Sequence, residues 1–277
     1  FELVGTFFNH SLNPLKNTEG FVARRTAGDG RDFSVLSIRG TTSPADWRHN
    51  ANAGMESIGG GRTVHKGFHR AYRDAEEQIT ALLAKAGDLP VFVCGHSLGG
   101  AVAVMATWYH RRDRLSACYT FGAPRVGNHA FHDGFKTPVY RIVNAFDPVP
   151  SLPPNDIVIR AVGWLAACLL KCIPGGRLTG LKGWLQNLRG YRHAGYLHYL
   201  TAGEMDEAGR YPTVRHYTDF SGFDGLRHFW EMLTSGQLKR LNIYHNMSTY
   251  RRKLRSRALD RAPRPPAVDP GDPEATA

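Results

Sequence analysis

Ser97 stands at the centre of Gly95-His96-Ser97-Leu98-Gly99. A serine hydroxyl is a weak nucleophile until an imidazole takes its proton and a carboxylate orients that imidazole; so equipped, it attacks carbonyl carbon and performs acyl transfer. The flanking residues give the serine a place to work from. Val91-Phe92-Val93-Cys94 is a short apolar run of strand type, and Ala101 to Tyr109 is rich in Ala and Val and of helix type. A serine between them sits at the tip of a sharp strand-to-helix turn, where the two backbones pass close together. Gly95 and Gly99 fit that reading, because a Cβ at either position would clash. The start of the following helix aims N–H groups at the reacting oxygen.

The partners are sought downstream, in the order serine, acid, histidine. Asp147 is the best acid. It follows the strand-like Val139–Asn144, and Pro148 and Pro150 stiffen the loop beyond it. Asp133 and Asp156 are weaker rivals, since neither directly follows a strand. The chain has 13 histidines, so a lone one proves little. His193, in Tyr191-Arg192-His193-Ala194-Gly195, is the leading base and His198 its neighbour; spacing alone does not separate them. A developing oxyanion needs two backbone donors. Leu98, just after the nucleophile, supplies one. Ser37-Ile38-Arg39-Gly40-Thr41 ends a strand in a tight turn, which makes Thr41 the second.

These residues must be carried by a sheet. Strand signals at Phe1–Phe8, Phe33–Arg39, Val91–Cys94, Ala117–Phe121 and Val139–Asn144 alternate with helical stripes at Gly67–Lys85 and Leu98–Arg112. Alternation of this kind predicts an α/β fold with a mostly parallel central sheet flanked by helices, its chemistry at the carboxyl ends of the strands. The glycine-flanked serine in that setting is the nucleophile elbow of an α/β-hydrolase. Residues 1–259 are expected to form one domain. From 260 to 277 the composition turns to Pro with Arg and then Asp, which predicts a disordered tail. The chain opens at Phe1 inside a predicted strand, with neither an initiating Met nor a signal peptide, an opening that suggests upstream residues are missing.

Several motifs together resemble the class 3 lipase family, which includes filamentous-fungal triacylglycerol lipases and plant phospholipase A1-type enzymes. They are Arg39-Gly40-Thr41-Thr42-Ser43 with Asp46-Trp47; Val64-His65-Lys66-Gly67-Phe68 with Ala71-Tyr72; Gly95 to Gly100; Thr120-Phe121-Gly122-Ala123-Pro124-Arg125-Val126-Gly127; and Asp147 to Pro153. Tyr191-Arg192-His193-Ala194-Gly195 resembles the family's histidine motif, which favours His193 over His198. The resemblance spans about Gly20 to Leu200. It implies Ser97 as nucleophile, Asp147 as acid, His193 as base, and Thr41 with Leu98 as oxyanion donors. Beyond Leu200 the match weakens. His245, Met247 and Tyr250 resemble a terminal His-x-Met-x-x-Tyr pattern of some bacterial members and read as structural.

The implied activity is hydrolysis of lipid carboxylic esters, acylglycerols first, through an acyl-enzyme and with no metal or cofactor. Phospholipase A1, galactolipase and feruloyl-type esterase activities remain open on the same scaffold, as does a catalytically silent interaction protein. A lid is expected either in Ser43–Gly61, with Trp47, or in Ile157–Arg189, where Trp164 and Trp184 lie among basic residues on amphipathic stripes. The formal charge of +11 is concentrated late, at Arg251, Arg252, Lys253, Arg255, Arg257, Arg261 and Arg264. This reads as a solvated basic helix, or as attraction to an anionic membrane or lipid-droplet surface. No recognition motif supports a specific nucleic-acid partner. No apolar run reaches the ~20 residues of a membrane span, so the chain is expected to be soluble or peripheral. Cys94 and Cys118 read as buried thiols; Cys168 and Cys172, one helical turn apart, are poorly placed for a bridge.

Overall fold

The computed structural model describes residues 1–9, 18–40, 54–110, 114–154, 156, 159–161, 163–164, 189–218 and 241–261, with 241, 242 and 259–261 described by backbone alone. Ten strands are present among them: β1 (Glu2–Asn9), β2 (Thr18–Arg25), β3 (Phe33–Ile38), β4 (Met55–Ser57), β5 (Thr63–His65), β6 (Val91–His96), β7 (Leu115–Phe121), β8 (Val139–Asn144), β9 (Tyr196–Leu200) and β10 (His216–Tyr217). The helices are α1 (Lys66–Arg73), α2 (Glu76–Lys85), α3 (Leu98–Tyr109), α4 (His129–Asp133), α5 (Leu241–His245) and α6 (Met247–Arg261).

The main sheet runs β1-β2-β3-β6-β7-β8-β9-β10. Its centre, from β3 through β9, is parallel, and antiparallel strands close both edges. β4 and β5 form a separate ribbon. The mostly parallel sheet with helices is therefore present as expected. β2 escapes the sequence pattern because Gly20 and its charged ends break the alternation, whereas pairing with β1 and β3 supplies its order.

One helix was expected over Gly67–Lys85, but the chain breaks at Asp74-Ala75, where the Ala75 N–H reaches back only to the Tyr72 carbonyl. The two pieces serve different partners: α1 packs against α3, and α2 against β1. Phe68, Ala71, Tyr72, Ile79, Leu82 and Leu83 enter the main core with Val22, Leu36, Val91 and Val93 of the sheet and Val102 and Met105 of α3. A smaller cluster of Ile142, Leu200, Tyr211, Val214 and Tyr250 fastens α6 to β8 and β9. α6 continues to Arg261, past the expected boundary at 259; residues 262–277 lie outside the described residues. Cys94 and Cys118 are free thiols, and burial pushes that of Cys118 up to about 12.

Candidate active site

Ser97 sits where β6 hands over to α3, between the carboxyl ends of β3 and β7. Its backbone has φ +57° and ψ −128°, a conformation a non-glycine residue adopts only under constraint. The constraint is visible on both sides. The Ser97 N–H donates to the Phe121 carbonyl of β7 at 2.9 Å. A Cβ on Gly95 would stand 2.2 Å from the Gly99 carbonyl oxygen, and one on Gly99 would stand 2.3 Å from that of Ile38. The elbow closes only because both residues are glycine, as the sequence implied.

β8 ends at Asn144, and a turn through Ala145 presents Asp147 at the neighbouring strand end. The Asp147 side chain is fully buried, with an exposure of 0 %. Its oxygens are well supplied with donors. Oδ1 accepts the Val149 N–H at 2.9 Å, and Oδ2 accepts the Tyr250 hydroxyl at 2.5 Å. Burial beside this carboxylate holds the Tyr250 phenol protonated, well above its ordinary pKa. The Gly122 backbone has φ +58°, and a Cβ there would lie 2.5 Å from Asp147 Oδ2, so this glycine leaves the room the acid needs.

The histidine that joins the two is His245, at the end of α5. Its Nδ1 lies 2.9 and 3.0 Å from the Asp147 oxygens, and its Nε2 lies 2.8 Å from Ser97 Oγ. The His96 ring donates from Nε2 to the His245 carbonyl at 2.6 Å and packs beside its ring. Burial, with His245 next to it, lowers the pKa of His96.

His193 does not reach this site. Its Nε2 donates to the Pro150 carbonyl at 2.7 Å. Burial lowers its pKa well below the ordinary value, and Arg141 and Arg125 disfavour a further charge. Arg125 bonds the Ser151 and Pro153 carbonyls of the same loop. His193 and Arg125 therefore hold the loop that follows the acid, which gives the Tyr-Arg-His motif a structural task. His198 is also elsewhere, its Nδ1 2.8 Å from His216 Nε2. Of the rival acids, Asp156 binds the Gly190 N–H and Arg192, and Asp133 faces His129. The structure therefore places His245, and not the expected His193, beside Ser97 and Asp147. The residue lies beyond the stretch where the motifs match well, which made it read as structural. Its signal in the sequence was a histidine just before a helix start, in serine-acid-histidine order.

Leu98 opens α3 and is buried, with its N–H in the first turn, where helices have no internal acceptor. Thr41, Trp47 and Trp184 lie outside the described residues. Trp164 is 71 % exposed. Among the described residues no group of three or more His, Cys, Asp or Glu side chains is placed to hold a metal ion.

A serine on a strained elbow within a mostly parallel sheet, hydrogen-bonded in line to a histidine and a buried carboxylate, defines an α/β-hydrolase. The model of the family "Lipase (class 3)" matches residues 35–157, a stretch that holds the elbow and the acid, and over it the chain is similar to the class 3 lipases. It is 37% identical over 145 residues to a secreted mono- and diacylglycerol lipase of Fusarium solani, covering 49% of this chain and 44% of that protein. It is 33% identical over 153 residues to the chloroplastic phospholipase A(1) DAD1 of Arabidopsis thaliana, covering 45% and 34%. Among solved structures, the lipase of Rhizopus microsporus var. chinensis superposes with a TM-score of 0.53 at 28% identity, over 78% of this chain and 65% of that one. The matched stretch spans less than half the length of these two curated relatives.

Proposed function

We propose that the protein is a serine hydrolase of lipid carboxylic esters, with Ser97 as nucleophile, His245 as general base and acid, and Asp147 as the orienting acid. The observation that carries this reading is the unbroken line from Asp147 through His245 to Ser97, with contacts of 2.9 and 2.8 Å. His245 takes the Ser97 proton as Oγ attacks the ester carbonyl, and the Leu98 N–H, with Thr41 as second donor, holds the oxyanion. The alcohol leaves with the proton from His245, and water cleaves the acyl-enzyme by the same route. Asp147 fixes the tautomer with the Nε2 lone pair towards the serine and stabilises the imidazolium when it forms.

Acylglycerols are the favoured substrate, in keeping with the mono- and diacylglycerol lipase among the relatives; the phospholipase A(1) relative supports phospholipid as the second reading. No described helix is long and apolar enough to cross a membrane. We read contact with lipid as peripheral, through the region of Trp164 and the exposed Arg251, Arg252 and Arg255.

Hydrolysis of p-nitrophenyl esters of increasing chain length, below and above substrate aggregation, tests the activity. The parent should turn over, faster on long chains at an interface, and Ser97→Ala should lie roughly 10³–10⁶-fold lower. Equal turnover by Ser97→Ala would refute the assignment.

A further inference from the structure

Lys253 lies on α6, one turn beyond Tyr250, and is 0 % exposed. A buried ammonium is costly unless it is compensated. Here its donors meet neutral oxygens: Asn144 Oδ1 at 2.6 Å and the Thr201 carbonyl at 2.7 Å. The rings of Tyr211 and Tyr244 lie 5.4 and 5.6 Å away and face the cation. Glu204 and Asp206 line the same cavity, and Asp206 is bonded to Arg210.

Asn144 explains why a cation is kept there. It is the last residue of β8 and is itself fully buried. Its Nδ2 donates at 2.7 Å to the carbonyl of Tyr244, the residue before His245. Its backbone N–H donates at 3.0 Å to the Tyr250 hydroxyl, which in turn donates to Asp147. Its carbonyl accepts the Asp147 N–H at 2.8 Å. One side chain therefore ties the segment bearing the histidine to the loop bearing the acid. A charge on Lys253 polarises the Asn144 amide and fixes which way it points, since only Oδ1 can face the ammonium.

We propose that Lys253 and Asn144 are positioning residues of the hydrolytic site, with the Lys253 ammonium locking Asn144 so that His245 and Asp147 keep their register towards Ser97. The proposal rests on the reading of Ser97, His245 and Asp147 given above. Burial alone pushes the Lys253 pKa down to about 8. The lock therefore loosens in mildly alkaline solution, where the fold does not. The sign follows from linkage: between about 8 and 10.5 the unfolded chain holds the lysine proton and the folded one does not, so this group makes the fold more stable as pH rises. Reactivity and stability move in opposite directions across that window.

The test is the rate at which the full chain's Ser97 is labelled by a fluorophosphonate, followed from pH 6 to 10 for the parent, Lys253→Met, Asn144→Leu, the double variant, and Lys85→Met as an exposed control. The parent rate should fall above a midpoint near 8 while its melting temperature does not fall. Lys253→Met and Asn144→Leu should each label on the order of 10–100-fold more slowly, the cost of a small misplacement. The double variant should be no worse than the slower single, the alkaline fall should vanish with Lys253, and Lys85→Met should match the parent. Labelling of folded Lys253→Met at the parental rate with the parental pH profile would overturn the proposal. If Lys253→Met does not fold, the parent decides: a rate with no fall between pH 7 and 9 overturns it, and a fall with undiminished melting temperature upholds it. No labelling of the parent would instead overturn the hydrolase reading on which this one stands.

Discussion

At the scale of single residues, the serine and the acid announce themselves because their neighbours are constrained. Gly95 and Gly99 have backbone atoms where a Cβ would go, and Pro148 and Pro150 stiffen the chain after Asp147. The proposed base is not legible in that way. A histidine needs only to arrive at the right point in space, and His245 does so from a helix 98 residues past the acid. His193 sits in the motif that looked right, and its ring is spent on Pro150. Asp147→Asn should keep the buried hydrogen bonds largely intact yet lower kcat by about 10⁴, because the amide favours the wrong imidazole tautomer; steady-state ester hydrolysis checks this, and near-parental kcat would remove Asp147 from its role. Gly122→Ala places a methyl against Asp147 Oδ2 and the Tyr250 hydroxyl in a strained backbone region. It should cost roughly 10²-fold in kcat with KM little changed, and an unaltered kcat would show that the acid tolerates displacement.

At the scale of elements, the expected strands β3, β6, β7 and β8 are present, since each is a compact β-branched or aromatic run buried in a parallel sheet. The edge strand β1 is also present where Phe1–Phe8 predicted it, but β2, β9, β10 and the ribbon of β4 and β5 were not legible, because their order comes from pairing and not from their own pattern. The loop between Asp147 and Pro153 is where elements and site meet. It is fastened by Arg125 from the turn after β7 and by His193 from the segment before β9. Nearby, His132 donates to the Arg192 carbonyl, and burial pushes its pKa down to about 4. The folded state therefore binds fewer protons than the unfolded chain between about 4 and 6.5, and stability is lost as pH falls through that window. His193, also lowered, acts with the same sign. The melting temperature should drop steadily from pH 6.5 towards 4.5, and His132→Gln should flatten part of the slope; a parent curve that stays level across this range would contradict the burial of both rings as neutral groups.

At the scale of the whole molecule, the formal charge of +11 and the exposed Trp164 are what support the proposed contact with a lipid surface. Anionic lipid fits both. Vesicles containing phosphatidylserine should carry the protein upwards in flotation, less so as salt is raised past the point where the Debye length falls below about 8 Å. Trp164→Ser with Trp184→Ser should weaken that binding without changing hydrolysis of a short soluble ester; unchanged flotation would remove these tryptophans from the lipid-facing surface. The central claim concerns which histidine works. It is tested most directly by hydrolysis of a dispersed diacylglycerol, compared among the parent, His245→Ala and His193→Ala after each is shown to fold. The account predicts a loss of roughly 10³–10⁶-fold in kcat for His245→Ala, with His193→Ala keeping most of its turnover at a lower melting temperature. A folded His245→Ala that hydrolyses the lipid at the parental rate, beside an inactive His193→Ala, would contradict it.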